Sequence, residues 1–202
     1  MSTRPHEQSI APPELPRREP YRTWPGALAV LAVILVYLGI VIVIDDRTPT
    51  EYEPVPAGKP LAVGTALTFV PRDGYVLDPT NSSTDPALPS VQLVGSSGTF
   101  RITANDWNGT LAQLVERQKK EYEALADART IGDDATFTAP GLSGTVFTQL
   151  LDNGNQIRTW VSVDESSDRS VVILGAAPSE VFRQSLPRMQ AMVDSVRVEA
   201  QP

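Results

Sequence analysis

The sequence predicts an α+β domain, an antiparallel sheet packed with helices, preceded by one transmembrane helix. Three observations carry that expectation. Ala27 to Ile44 form an apolar run without a charge. After it come short strand-like segments separated by glycine-rich turns, and two stretches of helical periodicity interrupt them. The chain has 202 residues, so one outer domain of about 140 residues fits behind the span, an ordinary single-core size.

Residues 1–23 are rich in proline and charge and lack hydrophobic periodicity, which predicts a disordered cytoplasmic tail. Pro12, Pro13, Pro16 and Pro20 in it read as a solvated tail before they read as a polyproline ligand. Residues 24–44 read as the transmembrane helix, long enough for the roughly 30 Å hydrocarbon core. A cleaved secretory signal would have a shorter apolar region and an Ala-x-Ala site; here the run passes straight into Asp45-Asp46-Arg47. Arg17, Arg18 and Arg22 precede the span and only Arg47 closely follows it, so the N-terminus is expected in the cytoplasm and the C-terminal domain outside. Tyr21 and Trp24 stand where an interfacial aromatic belt belongs. Tyr37 within the span reads as a tolerated amphipathic ring, and Gly39 has no small residue four positions away to make a helix-association motif. Residues 45–61 read as an acidic, proline-rich linker.

The outer domain is expected over 62–199. Leu61 to Val70 and Tyr75-Val76-Leu77 read as strands around a Pro71-Arg72-Asp73-Gly74 turn. Val91 to Val94 and Thr99 to Asp106 form a hairpin, with Phe100, Ile102 and Ala104 alternating onto one face. Thr110 and Gln113 have capping-box spacing and open a helix whose apolar stripe is Leu111, Leu114, Val115, Tyr122 and Leu125. Its charge run, Arg117, Lys119, Lys120, Glu121 and Glu123, reads as a solvated face. Ser143 to Asp152 and Asn155 to Val163 flank Asn153-Gly154, a two-residue hairpin signal. That turn sets Leu150 against Ile157, Thr148 against Thr159 and Val146 against Val161 on one side. On the other it sets Gln149 against Arg158, Thr145 against Ser162 and Phe147 against Trp160. Ser170 to Ala176 is apolar on both faces and belongs inside a covered sheet. A last helix starts at Ser179 with Phe182, Leu186, Met189, Val193 and Val196 at helical spacing, and Pro187 is expected to kink or split it.

This order of elements resembles the PsbP-like fold: an early Pro71-Arg72-Asp73-Gly74-Tyr75 turn, a hairpin leading to an amphipathic helix, the long Asn-Gly hairpin and a doubly apolar strand. The closing Met192-Val193-Asp194-Ser195-Val196-Arg197-Val198 is similar to the ending of actinobacterial envelope proteins of that fold, among them LpqN-type lipoproteins and domains associated with type VII secretion. The resemblance spans roughly 62–199. It implies an α/β/α sandwich and a non-catalytic binding or assembly role, and it carries over no binding residues. The chain departs from the lipoproteins in its anchor, having no cysteine to modify.

Chemistry is sparsely supplied. A net charge of -7 is the wrong sign for a nucleic-acid binder, so no nucleic acid is expected. Without cysteine there is no disulfide, thiolate metal site or thiol nucleophile. The single histidine, His6, is expected across the membrane from the outer domain, so neither a Ser-His-Asp triad nor a histidine metal site is predicted there. Gly141-Leu142-Ser143-Gly144 is one residue short of a nucleophile elbow. Asp133-Asp134 and Asp164-Glu165 read as hydrated loop acids, not as a glycosidase pair or a calcium site. Asn81-Ser82-Ser83 and Asn108-Gly109-Thr110 fit the glycan acceptor pattern, which matters only in a eukaryotic secretory route. No catalytic residue, metal or cofactor is therefore expected.

The most specific local expectation is a partner-binding patch, Phe147 and Trp160 bordered by Gln149 and Arg158. Against it stands an ordinary reading in which a helix covers both rings as core. The resulting functional expectation is a single-pass, extracytoplasmic, non-catalytic binding or assembly module of the bacterial cell envelope, its partners the membrane and an envelope protein. A lipid or small-molecule carrier with a pocket between sheet and helices is the alternative, and an enzyme working through carboxylates ranks last.

Overall fold

A computed structural model describes residues 51–65, 67–164 and 168–198. The expected tail and transmembrane helix lie outside the described residues, and no helix among those described is long and apolar enough to cross a membrane. The strands are β1 (Glu53–Pro54), β2 (Leu61–Val63), β3 (Leu67–Phe69), β4 (Tyr75–Leu77), β5 (Ser90–Gly95) and β6 (Gly98–Asp106), followed by helix α1 (Leu111–Ala126). Then come β7 (Arg129–Thr130), β8 (Ala135–Ala139), β9 (Leu142–Leu150), β10 (Asn155–Asp164), β11 (Arg169–Pro178), helix α2 (Ser179–Val193) and β12 (Arg197–Val198). The main sheet runs β1-β4-β5-β6-β11-β10-β9, and β7 and β8 both pair with the outer side of β9. A small sheet, β12-β3-β2, accompanies it. Every strand pairing described is antiparallel.

Strand alternation sends side chains to two differently covered faces. On one face Leu93, Phe100, Ile102, Ile173, Trp160 and Val146 meet α2 and the small sheet in a continuous apolar core. The Phe69 ring of β3 lies 5.6 Å from that of Phe100, and Ser195 just past α2 accepts a hydrogen bond from the Val70 amide. Gly175 lets α2 approach closely: a Cβ there would stand 2.6 Å from the Met189 sulfur. On the other face α1 packs on β9 and β10, where Leu114, Val115, Phe147 and Val161 form a smaller cluster. The result is an α/β/α arrangement with a large core on the α2 face and a small one on the α1 face.

Several expectations are met and several are corrected. Thr110 caps α1 in a capping box with Gln113, as its spacing predicts. Leu125, assigned to the apolar stripe, is 77% exposed, in the last turn of α1. Leu61 to Val70 is two strands, because the chain turns at Gly64–Thr65 and folds β2 back on β3. Part of the proposed linker belongs to the fold: β1 pairs with β4, and Val55 packs against the core. Pro187 does not split α2, which runs unbroken through it. Pro187 and Arg183 are both on the exposed side, where water can satisfy the carbonyl that loses its helical donor.

The most consequential correction concerns the β9–β10 register. The turn holds three residues, not two: the Leu151 amide donates to the Asn155 carbonyl and the Gly154 amide to the Leu151 carbonyl. Gly154 takes φ +81°, the left-handed residue of a three-residue hairpin with a glycine bulge. One additional turn residue shifts every pair by one, so Phe147 faces Thr159, Trp160 faces Val146, Gln149 faces Ile157 and Arg158 faces Thr148. With a side-chain period of two, that shift exchanges the faces.

Candidate functional site

The expected aromatic pair does not exist as a pair. Phe147 is 2% exposed and lies under α1, with the Lys119 ammonium 5.2 Å from its ring centre. Trp160 is 1% exposed and lies on the opposite face, in the α2 core. The two polar neighbours part in the same way. Gln149 is fully buried on the α1 side and donates through Nε2 to the Lys119 carbonyl at 3.2 Å. Arg158 is on the α2 side, its guanidinium 5.8 Å from the Trp160 ring and its Nη1 3.5 Å from Thr148 Oγ1. Burial pulls the Arg158 pKa down from its ordinary value. The structure thus places all four residues, brings Phe147 and Trp160 into separate cores, and presents neither ring at the surface.

The surface that is open lies elsewhere on the α1 face. Because α1 covers β9 and β10 but not the full width of the sheet, a groove of about 550 Å³ remains between the helix and strands β6 and β11. Its floor is the side of β6 opposite Phe100, Ile102 and Ala104, namely Arg101, Thr103 and Asn105, beside Ser170, Val172 and Leu174 of β11. Its wall is the flank of α1 carrying Leu114, Arg117, Gln118, Glu121 and Tyr122. Trp107 closes one end, and Ala87 and Leu88 from the β4–β5 connection also line it.

Local contacts hold the groove in shape. The Trp107 amide donates to the Asp168 carbonyl at 2.7 Å, and its indole Nε1 donates to the Thr110 carbonyl at 3.3 Å. The Arg117 guanidinium stands 5.6 Å from the Trp107 ring centre, within cation–π range. Gln118 Nε2 donates to Glu121 at 3.3 Å. Burial raises the Tyr122 pKa, Glu121 adds to the rise, and Arg101 opposes it, so the phenol stays neutral and able to donate at ordinary pH. Asn105 Oδ1 is a buried acceptor with no donor among the described residues, a costly state that a ligand N–H or a water relieves. Among the described residues neither Arg101 nor Arg117 forms an ion pair.

Two guanidiniums, the carboxylates of Asp106 and Glu121, an acceptor without a donor among the described residues and an apolar strip of Leu114, Val172 and Leu174 make an amphipathic recognition surface. Among the described residues no three metal-ligating side chains converge. A signal for the groove existed in the sequence: if Phe100, Ile102 and Ala104 face a core, Arg101, Thr103 and Asn105 face the other way. What was not legible is that α1 leaves them uncovered, and that Arg117 and Glu121 of its charge run turn toward the sheet.

No model of a known protein family matches the sequence, and no match is found among curated proteins. Solved structures are similar in fold. Cyanobacterial PsbP (CyanoP) from Synechocystis aligns over 72% of this chain and 98% of its own, at 11% identity and TM-score 0.50. The Ran-binding protein Mog1p of Saccharomyces cerevisiae aligns over 69% of this chain and 95% of its own, at 14% identity and TM-score 0.42. LpqN, involved in cell envelope biogenesis of Mycobacterium tuberculosis, aligns over 74% and 91%, at 14% identity and TM-score 0.38. The described domain has a PsbP-like fold.

Proposed function

We propose that this PsbP-like domain is the extracytoplasmic, non-catalytic binding module of a single-pass envelope protein. Its binding surface is the groove between α1 and strands β6 and β11, and its ligand is an extended polypeptide segment carrying an acidic side chain. The observation that carries the reading is the groove itself: Arg101 and Arg117, without ion pairs among the described residues, beside an apolar strip and an Asn105 acceptor with no donor among those residues. A backbone N–H of an extended segment suits Asn105, and a carboxylate suits either guanidinium. The uncharged run Ala27–Ile44 and the arginines before it support the anchored, outward-facing placement.

The test is photo-crosslinking in native membranes with a photoreactive residue at Thr103, beside a control at Glu180 on α2. A discrete protein adduct from position 103 alone, lost on Arg101→Glu in a protein with unchanged circular dichroism, supports the reading. A lipid adduct confined to position 103 would transfer the groove to the carrier alternative. Equal labelling from both positions would remove the groove as a specific surface.

A further inference from the structure

We infer that β8 is a self-complementary edge through which two copies of this chain pair their sheets. An open sheet edge carries unpaired backbone donors and acceptors, and proteins usually guard it with charge, proline or shortness. The other edges here are guarded. β1 is two residues long and consists of Glu53 and Pro54, β12 is two residues with Arg197, and β2 is three residues long. β7, which shares the side of β9 with β8, is also two residues and carries Arg129. β8 alone among these is five residues, Ala135-Thr136-Phe137-Thr138-Ala139, with neither charge nor proline.

Among the described residues only β9 reaches its backbone: no other backbone hydrogen bond there involves Ala135–Ala139. Ala135, Thr136 and Thr138 are exposed. The segment reads the same in both directions, so a twofold axis through Phe137 sets each residue against its equal in type. Ala135 meets Ala139 of the second copy, Thr136 meets Thr138, and Phe137 meets Phe137. Cross-strand threonine pairs are favourable, and a self-complementary patch is what a twofold dimer requires. Flanking charge does not oppose the pairing. Asp134 is held by Lys119 of its own chain at 2.7 Å, and in this register it falls opposite Pro140 of the second copy. Phe137 belongs to the α2-side core, so the junction brings the two cores edge to edge.

The chain has no cysteine, which permits a test of register as well as of association. Two versions of the full chain, Thr136→Cys and Thr138→Cys, are purified in detergent micelles and oxidised with copper–phenanthroline, separately and mixed. Opposed residues in an antiparallel pair stand about 4.5–5.5 Å apart, whereas each cysteine lies about 7–8 Å from its own counterpart, at or beyond the disulfide limit of about 7 Å. The expected result is a disulfide dimer at least about fivefold more abundant in the mixture than in either sample alone. Equal yields in all three samples, or none in any, would overturn the inference. As a second measurement, Thr136→Lys/Thr138→Lys sets lysine against lysine twice and should convert a dimer to a monomer on gel filtration with unchanged circular dichroism. A folded variant that remains dimeric would overturn it as well.

Discussion

The two faces of the main sheet are covered to different extents, and the difference separates stability from recognition. On the α2 face the helix and the small sheet seal a continuous apolar core. On the α1 face only four buried apolar residues cluster among those described, Leu114 and Val115 of the helix on Phe147 and Val161 of the sheet; the remaining width carries Arg101, Thr103, Asn105 and Ser170 and stays open as the groove. The same alternation within one strand feeds both: Ile102 is fully buried while its neighbours Arg101 and Thr103 line the groove. A fully sealed sheet would be more stable and would have no recess to offer. Here the fold concentrates its apolar burial on one side and leaves the other for binding.

The sharpest way to break this comparison is to truncate the largest side chain of each core. Trp160→Ala should cost about 4–5 kcal/mol and Phe147→Ala about 3 kcal/mol, since the smaller cluster loses fewer contacts. Urea denaturation monitored by circular dichroism reads both, and a larger loss for Phe147→Ala would reverse the assignment of the faces. The double variant should not fold, so it cannot report on partner binding.

The next effect belongs to the polar network at the other end of the α1 face. Asp78 is 3% exposed and accepts from the Thr80 and Asn81 amides, Asn81 Nδ2 and Gln92 Nε2. Burial pushes its carboxyl pKa up, but these hydrogen bonds outweigh it and leave the pKa below the ordinary value. The carboxylate therefore contributes stability above the ordinary aspartate pKa of about 3.9, and the contribution is lost as the pH falls through the lower folded-state value. Asp78→Ala should cost about 1–3 kcal/mol at pH 7. The gap between wild type and variant should close only in strong acid, and a gap independent of pH would exclude this origin.

Thr159 supplies a smaller effect of opposite sign. It is 0% exposed on the α1 face and its hydroxyl has no partner among the described residues. Thr159→Val replaces that hydroxyl by a methyl of similar shape and should raise stability by about 1 kcal/mol; a loss in thermal unfolding would mean the hydroxyl is satisfied in solution. Smallest in stability is Arg101→Ser, within about 0.5 kcal/mol of wild type because the side chain is exposed and makes no ion pair among the described residues. Its expected consequence is loss of the crosslinked partner with an unchanged melting temperature, which is the comparison in its sharpest form.

Much of the fold was legible because its signals are local. The Thr110–Gln113 box, the alternation Phe100-Ile102-Ala104 and the period of Phe182, Met189 and Val193 each need only near neighbours to read. β8 was missed because the alternation in Ala135–Ala139 is short and weak, a single large apolar residue among threonines and alanines; its partner β9 is what makes it a strand. The candidate site fared worse for one physical reason. Asn153-Gly154 suits both a two-residue turn and a three-residue turn with glycine last, and the choice is made by the Leu151–Asn155 pairing, not by the dipeptide. That one step placed Phe147 beside Trp160 on paper and on opposite sides of the sheet in the molecule.

The β9–β10 turn has a further consequence for how this domain can vary. Asp152, Asn153 and Gly154 are all exposed, so the positions before the glycine should accept many side chains. The number of residues there is another matter, because adding or deleting one would exchange inside for outside along one strand relative to the other, the nine residues of β9 or the ten of β10. Length change at this loop is thus governed by parity: a gain or loss of two preserves the alternation, whereas a gain or loss of one must be absorbed by a new bulge. The loop is permissive in identity and restrictive in count, and related domains should differ there in letters far more often than in length.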